Sequence, residues 1–188
     1  MELTLSWDLL VIVFFAVIVA YSFIVGKDES VKIIIATYIA VVAVQGFGNV
    51  LTKLSGPDTT FWSMLGLSFD MNVVAITKVV VLTAVIVFLA IRGGFTTTYD
   101  RVLDGIWDSL LTAVFGFATA GLLLSTLLTY IADRPLLDQT LATAPPLVPL
   151  LKDGQLVRIM VDYQDLWFSL PAFLLLAVGF YQSLEKES

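Results

Sequence analysis

The sequence of 188 residues contains no cysteine and no histidine, and only 14% of its residues are charged. Without cysteine there are no disulfides, thiolate nucleophiles or iron–sulfur ligands, and without histidine the commonest metal ligand and general base is missing. The net charge of −6 argues against nucleic-acid binding, which requires a basic surface. Walker A, G-x-G-x-x-G, H-E-x-x-H and G-x-S-x-G motifs are also absent. We therefore expect a non-enzymatic protein without a metal or cofactor.

Long apolar runs place the chain among integral membrane proteins. Hydrophobic residues make up 59% of it, and its charged fraction is well below the roughly 25% typical of soluble domains. A helix of about 20 residues crosses the hydrocarbon core of a bilayer, which is about 30 Å thick. We predict an all-α, polytopic helical bundle that forms a single membrane domain over 1–188, with four or five transmembrane helices. The spans are predicted at about 9–26, 33–51, 73–91 and 106–131, and 166–183 is either a fifth span or a short interfacial or re-entrant helix.

The segments that connect these runs differ in pattern. GKDESVK, residues 26–32, is predicted to be a short loop that joins the first two spans as an antiparallel hairpin. Residues 52–72 begin with turn chemistry and then become amphipathic, which predicts a partly helical segment on the membrane surface. Prolines in 133–153 disfavour a continuous helix through 145–149. Residues 154–165 mix charged and apolar positions and predict an amphipathic helix.

The distribution of lysine and arginine predicts the orientation. The first run follows the acidic stretch MELTLSWD and lacks an A-x-A-like cleavage site, so we expect a retained helix. With five spans, one side of the membrane carries a dense set of basic residues in short segments: Lys27, Lys32, Arg92, Arg101 and Lys186. Because cytoplasmic loops are enriched in these residues, we predict a multi-pass protein of the inner (cytoplasmic) membrane with an external N-terminus and a cytoplasmic C-terminus.

Three polar side chains in the second and third predicted spans are candidates for a role inside the membrane. Lys78 lies about two turns into the third span, where it can reach the external headgroups, pair with Asp70, or serve a substrate or proton. Gln45 and Asn49 are four residues apart and share one helical face, which suits either a hydrogen bond to another helix or the lining of a solute path. In both cases the structural interpretation is the favoured one.

The fourth span carries small residues at spacings of three and four. Such a ridge lets two helix backbones approach closely, because packing drives helix association in lipid. We predict a helix–helix interface here, within the protein or between copies of it, with a pore lining as the alternative. The ridge consists of Gly105, Ser109, Thr112, Ala113, Gly116 and Ala120, and a second small or hydroxylated stripe consists of Gly121, Ser125 and Thr129.

Charged residues cluster where the fourth span begins. Arg101, Asp104 and Asp108 share one face, where aspartates are favoured by the helix dipole and Arg101 can pair with Asp104. Two neighbouring carboxylates could instead act as general acid and base. Because no nucleophile, histidine or metal-ligand cluster accompanies them, we predict a structural role at the membrane edge, in which the two aspartates need no special partner.

Three stretches resemble the colicin V production (CvpA-like) family of small bacterial membrane proteins. YDRVLDGIWDSLLTAVFGFATAG, residues 99–121, resembles that family's D-R-x-L-G stretch and the glycine-ridged helix after it. TLATAPPLVPLL resembles its S-x-L-x-P element, and SWDLLVIVFF is similar to its acidic N-terminus. Asp104 stands where the family has glycine, and GKDESVK stands where it has an arginine–glycine element. The resemblance implies an envelope protein linked to bacteriocin export and stress tolerance, with Asp100 and Arg101 as family-pattern positions at the membrane edge.

These patterns together predict an assembly or envelope factor. Its expected partners are the lipid bilayer and either further copies of itself or other membrane proteins. The alternatives are a small-solute channel or transporter, and an accessory subunit of a larger membrane machine. A transporter would require a wet cavity lined by Lys78, Gln45, Asn49 or the stripe of Ser125 and Thr129.

Overall fold

The computed structural model describes residues 6–54, 71–93, 106–132, 134–138 and 140–187. Over these ranges the protein is all-helical, as predicted, and five helices are long and apolar enough to span a membrane. The protein is thus a multi-pass membrane protein, and the five candidate spans among the described residues match the larger of the two predicted numbers. Its helices are α1 (Trp7–Val25), α2 (Lys27–Leu54), α3 (Met71–Arg92), α4 (Ile106–Ile131), α5 (Val148–Asp153), α6 (Gln155–Asp162) and α7 (Gln164–Glu187), with a 3₁₀ turn at Leu141–Thr143.

Gly26 alone separates α1 from α2. Its φ of +87° is a conformation that glycine adopts without steric cost, and its N–H donates to the carbonyl of Ser22 at 2.9 Å. The Ser30 hydroxyl donates to the Gly26 carbonyl at 3.0 Å, and acidic residues in the first turn of α2 suit the helix dipole. The predicted loop over 26–32 is therefore wrong, because these local interactions start the helix at Lys27.

α4 is the central helix of the bundle. It contacts α1, α2, α3, α6 and α7, and 61% of its spanning part is buried, compared with 11% for α1 and α3. Phe115 and Leu122 of α4 pack against Val31 and Ile34 of α2. Further along, Tyr130 packs between α2 and α3, and its hydroxyl donates to a carbonyl of α2 at 3.1 Å. The helix that the sequence marks by small residues is therefore the one that organises the core.

The chain between α4 and α7 folds into a helical cap, which we define as residues 134–138 and 140–163. It contains the 3₁₀ turn, α5 and α6. Pro149 lies in the first turn of α5, where its missing N–H costs no helical hydrogen bond, and no continuous helix runs through 145–149, as predicted. The predicted amphipathic helix is α6, which buries Val157, Met160 and Val161 against the bundle.

Residues 166–183 belong to one helix of 24 residues, α7, although Pro171 lies inside it. Proline has no N–H, so the carbonyl of Trp167 loses its usual helical donor. Next to that position, the Tyr38 hydroxyl of α2 donates to the carbonyl of Phe168. The predicted surface segment over 52–72 lies mostly outside the described residues, and its two ends belong to α2 and α3.

Candidate functional site along the central helix

Gly116 brings α4 into close contact with α1. A Cβ placed on Gly116 would lie 2.8 Å from the Ser22 Oγ and 3.2 Å from the Val19 Cα. Any larger residue would therefore push against the backbone of α1. Ala120, one turn further along, is also fully buried. The neighbouring ridge positions differ, because Ala113 is half-buried and Ser109 is exposed, while Gly105 lies outside the described residues.

Gly121 lies directly against the ring of Trp167 of α7. A Cβ placed on this glycine would lie 2.2 Å from Cε3 and 2.7 Å from Cζ3 of Trp167, so only glycine leaves room for the indole ring. The ring centroid lies 5.8 Å from that of Phe15, in an edge-on arrangement, and 5.6 Å from that of Phe117. Aromatic contacts of this geometry stabilise a fold beyond simple burial. This cluster joins α1, α4 and α7 at one level of the bundle.

A buried polar connection lies beyond the tryptophan. The Gln164 Nε2 donates to the Thr129 Oγ1 at 2.8 Å, and the Thr129 hydroxyl donates to the carbonyl of Ser125 at 2.8 Å. Ser125 and Thr129 are at most 1% exposed. The second stripe of α4 thus packs against α7. Among the described residues, two buried polar atoms have no hydrogen-bond partner, the Ser125 Oγ and the Trp167 Nε1.

Lys27 and Asp108 form an ion pair at the opposite end of α4. The Lys27 Nζ lies 2.8 Å from the Asp108 Oδ1, and the lysine side chain is 11% exposed. The pair ties the first residue of α2 to the first turn of α4. Asp108 was predicted to need no special partner, and this is corrected, because the one-residue turn at Gly26 brings Lys27 within reach. Arg101, Asp104 and Asp100 lie outside the described residues.

Asp8 caps a helix that is remote in sequence. Its Oδ1 accepts from the N–H of Leu156 at 2.8 Å, and its Oδ2 accepts from the N–H of Gln155 at 3.2 Å. These are the first two N–H groups of α6, which has Gly154 at its N-cap and no side-chain cap of its own. A carboxylate is favoured there by the unpaired N–H groups and the helix dipole. The sequence analysis missed this contact, and the signal for it was weak: a glycine at the N-cap leaves the first N–H groups of a helix without a side-chain acceptor from that position.

The three candidate polar residues of α2 and α3, Lys78, Gln45 and Asn49, differ in their exposure. Lys78 is half-buried beside Gly48 of α2, where a Cβ on the glycine would lie 3.0 Å from the lysine Cε. Gln45 is half-buried and Asn49 is exposed. Asp70, the predicted partner of Lys78, lies outside the described residues. Lys78 therefore lies against α2, and Asn49 lies on an exposed face of α2.

An acidic cavity of about 210 Å³ opens beside Gln164, and Asp138, Asp162 and Asp165 line it. Hydrogen bonds from the Thr140 N–H and hydroxyl, at 2.9 and 2.8 Å, lower the pKa of Asp138, and the charge of Arg134 acts in the same direction. Within the described residues, no group of three or more carboxylates is placed to hold a metal ion. The lining of the cavity contains three carboxylates, one amide and four apolar side chains, which give it a negative potential.

The chain matches no protein-family model, no curated protein and no solved structure. The similarity to the CvpA-like family accordingly stays a prediction that rests on the three sequence stretches.

Proposed function

We propose that the protein is a non-enzymatic assembly or envelope factor of the inner membrane, which works through helix–helix contacts with copies of itself or with other membrane proteins. The observation that carries this proposal is that the small and polar residues of α4 contact other helices of the bundle. Gly116 and Gly121 admit α1 and Trp167, and Thr129 bonds to Gln164. The stripe of Ser125 and Thr129, one of the candidate linings of a solute path, instead lies between helices of the bundle, as expected for packing in lipid.

A channel or transporter is less well supported by the same residues. Such a protein needs a hydrated path lined by polar side chains. Ser125 and Thr129, which would line that path, are packed against α7 and are at most 1% exposed. The resemblance to the CvpA-like family gives separate support to an envelope role. An accessory subunit of a larger membrane machine is a variant of the same proposal, with a different partner.

Contacts with other proteins would use faces other than the ridge of α4, because α1 occupies that ridge at Gly116 within the chain. α7 offers an apolar face with four large side chains that are more than half exposed, at spacings of three and four. They are Phe173, Leu176, Phe180 and Leu184. Lipid covers such a face in the absence of a partner, and a second helix packs there when a partner is present.

In the proposed orientation, the cap and the N-terminus lie on the external side of the inner membrane. Lys27 and Lys32 lie in the first two turns of α2, and Arg92 is the last residue of α3. In this orientation, both helix ends lie on the same side of the membrane as the C-terminal end of α7. A dense set of basic residues in short turns supports a cytoplasmic location for that side. The absence of native cysteine makes this orientation accessible to single-cysteine labelling in intact cells.

Photo-crosslinking in native membranes tests the proposed function. A photoreactive phenylalanine analogue replaces Phe173, Leu176 or Phe180, one position at a time, and Phe115, which is buried in the bundle, serves as the matched control. We expect adducts of one discrete mass from the exposed positions and none from the control. In parallel, the purified protein in liposomes should not increase the flux of ions or small solutes. Flux without adducts would overturn the assembly role and favour the transporter.

A further inference from the structure

We propose that the cap is a hinged lid, and that the contact of Asp8 with α6 is the latch that holds it against the bundle. This inference is independent of the assembly role. The contact joins two helices that are remote in sequence: Asp8 belongs to α1, yet its carboxylate supplies the side-chain cap that α6 lacks. One charged group therefore links a transmembrane helix to a segment 147 positions away.

The docked cap covers a surface that is apolar at its centre. Val157, Met160 and Val161 of α6 pack into one cluster with Leu124 of α4 and Trp167 of α7, among other residues. This burial favours the docked state. The side chain of Met160 is only 2% exposed, so its environment reports directly on whether the cap is docked.

Other features of the docked state are unfavourable. Trp167, in the covered cluster, has a buried indole N–H with no partner among the described residues. A buried polar group without a partner destabilises the state that contains it. Lifting the cap would give this N–H access to water.

The first segment of the cap, residues 134–138, also carries strain. Leu137 has a φ of +59°, a left-handed conformation that leucine rarely adopts. Such strained positions persist only when the surrounding structure holds them, and they concentrate in segments that switch.

A mobile cap also needs a point about which it can turn. Tyr163, the last residue of the cap, forms the turn between α6 and α7. The docked state of the cap thus combines favourable burial with strain and an unpaired group. The Asp8 contact is the polar interaction that a single substitution can remove.

Cysteine labelling tests the latch, since the chain has no native cysteine. Met160→Cys reports on docking of the cap, and Ala120→Cys, buried between helices of the bundle, reports on the bundle itself. Each is labelled with N-ethylmaleimide in lipid nanodiscs, with and without Asp8→Ala. The labelling rate follows the population of the open state when opening and closing are fast. We expect Asp8→Ala, which removes both acceptor oxygens, to raise the rate at position 160 about fivefold, from the typical worth of a helix cap, and to leave the rate at position 120 unchanged.

Asp162→Ala is the matched control, because it removes the same side chain and charge from the other end of α6, where the side chain is exposed. It should leave both labelling rates unchanged. An unchanged rate at position 160 in Asp8→Ala would overturn the latch. A parallel increase at positions 160 and 120 would overturn the separate cap, since the whole bundle would then be opening. An equal increase with Asp162→Ala would show a general charge effect and would also overturn the latch.

Discussion

Gly116 and Gly121 lie five residues apart on α4, and they face different neighbours. At Gly116 the close neighbours are Ser22 and the backbone of α1 at Val19. At Gly121 the neighbour is one side chain, the indole of Trp167. Five residues turn an α-helix by about 140°, so the two glycines serve two separate interfaces. A small residue in a membrane helix can therefore make room for either a second helix backbone or a large aromatic ring. The two cases differ in whether a second substitution can restore the stability that is lost when the glycine is replaced.

The largest effect is expected from Gly116→Leu. Its side chain would push the two helix backbones apart, which should cost about 3 kcal/mol or more by overpacking. Thermal unfolding of the purified protein measures this loss as a lower midpoint. Gly46→Leu is the matched control, because a Cβ on Gly46 meets nothing within 4 Å. An unchanged midpoint for Gly116→Leu would contradict the close contact between α1 and α4.

Ser22→Gly sharpens the same comparison. In combination with Gly116→Leu it removes the nearest side-chain atoms but leaves the Val19 Cα, which lies 3.2 Å from the position of the new Cβ. We therefore expect little recovery of the unfolding midpoint. Full recovery would show that the serine side chain, and not the helix backbone, sets the limit at Gly116.

Gly121→Ala should have the next largest effect, about 2 kcal/mol, because the indole ring must leave its position. Here the obstacle is a side chain, so shortening it should help. In the double variant Gly121→Ala with Trp167→Leu, the free energy of unfolding should be higher than the sum of the two single losses predicts. A double-mutant cycle measures this coupling. Simple additivity would contradict the contact between Gly121 and Trp167.

The smallest effect is expected at the polar end of the same interface. Gln164→Leu removes the hydrogen bond to Thr129, and such bonds between membrane helices contribute about 0.6 kcal/mol on average. Thr129 still donates to the carbonyl of Ser125, so no buried hydroxyl is left unpaired by the change. Chemical unfolding of the variant, with Thr129→Val as the second arm of a cycle, measures the contribution. A loss as large as that of Gly121→Ala would mean that polar contacts, and not ring packing, hold α7 to α4.

Local sequence features predicted the helices well where apolar runs are long. The fourth span was predicted at 106–131, and α4 has the same bounds, because hydrocarbon depth sets the length of such a helix and its backbone must be paired internally. The turn at Gly26 was mispredicted because the charged residues after it resemble a loop. They are instead the acidic first turn of a helix, and one glycine with positive φ is enough to reverse the chain.

The candidate site was only partly predictable. The stripe of Gly121, Ser125 and Thr129 was recognised as an interface by its spacing, since residues three and four apart share a helical face. Its partners, Trp167 and Gln164, were not predicted, because their pairing depends on how α7 packs. The same holds for Lys27 and Asp108, which are 81 positions apart.

The sequence by itself determined that this protein is a bundle of membrane-spanning helices, because length and apolar character are local properties. Only the tertiary structure decided which glycines matter. Gly46 meets nothing within 4 Å, whereas Gly116 and Gly121 meet a helix and a ring. It also decided that Asp8 caps α6. The reason is physical: a close contact or a hydrogen bond depends on two partners, and helix packing brings together partners that lie far apart along the chain.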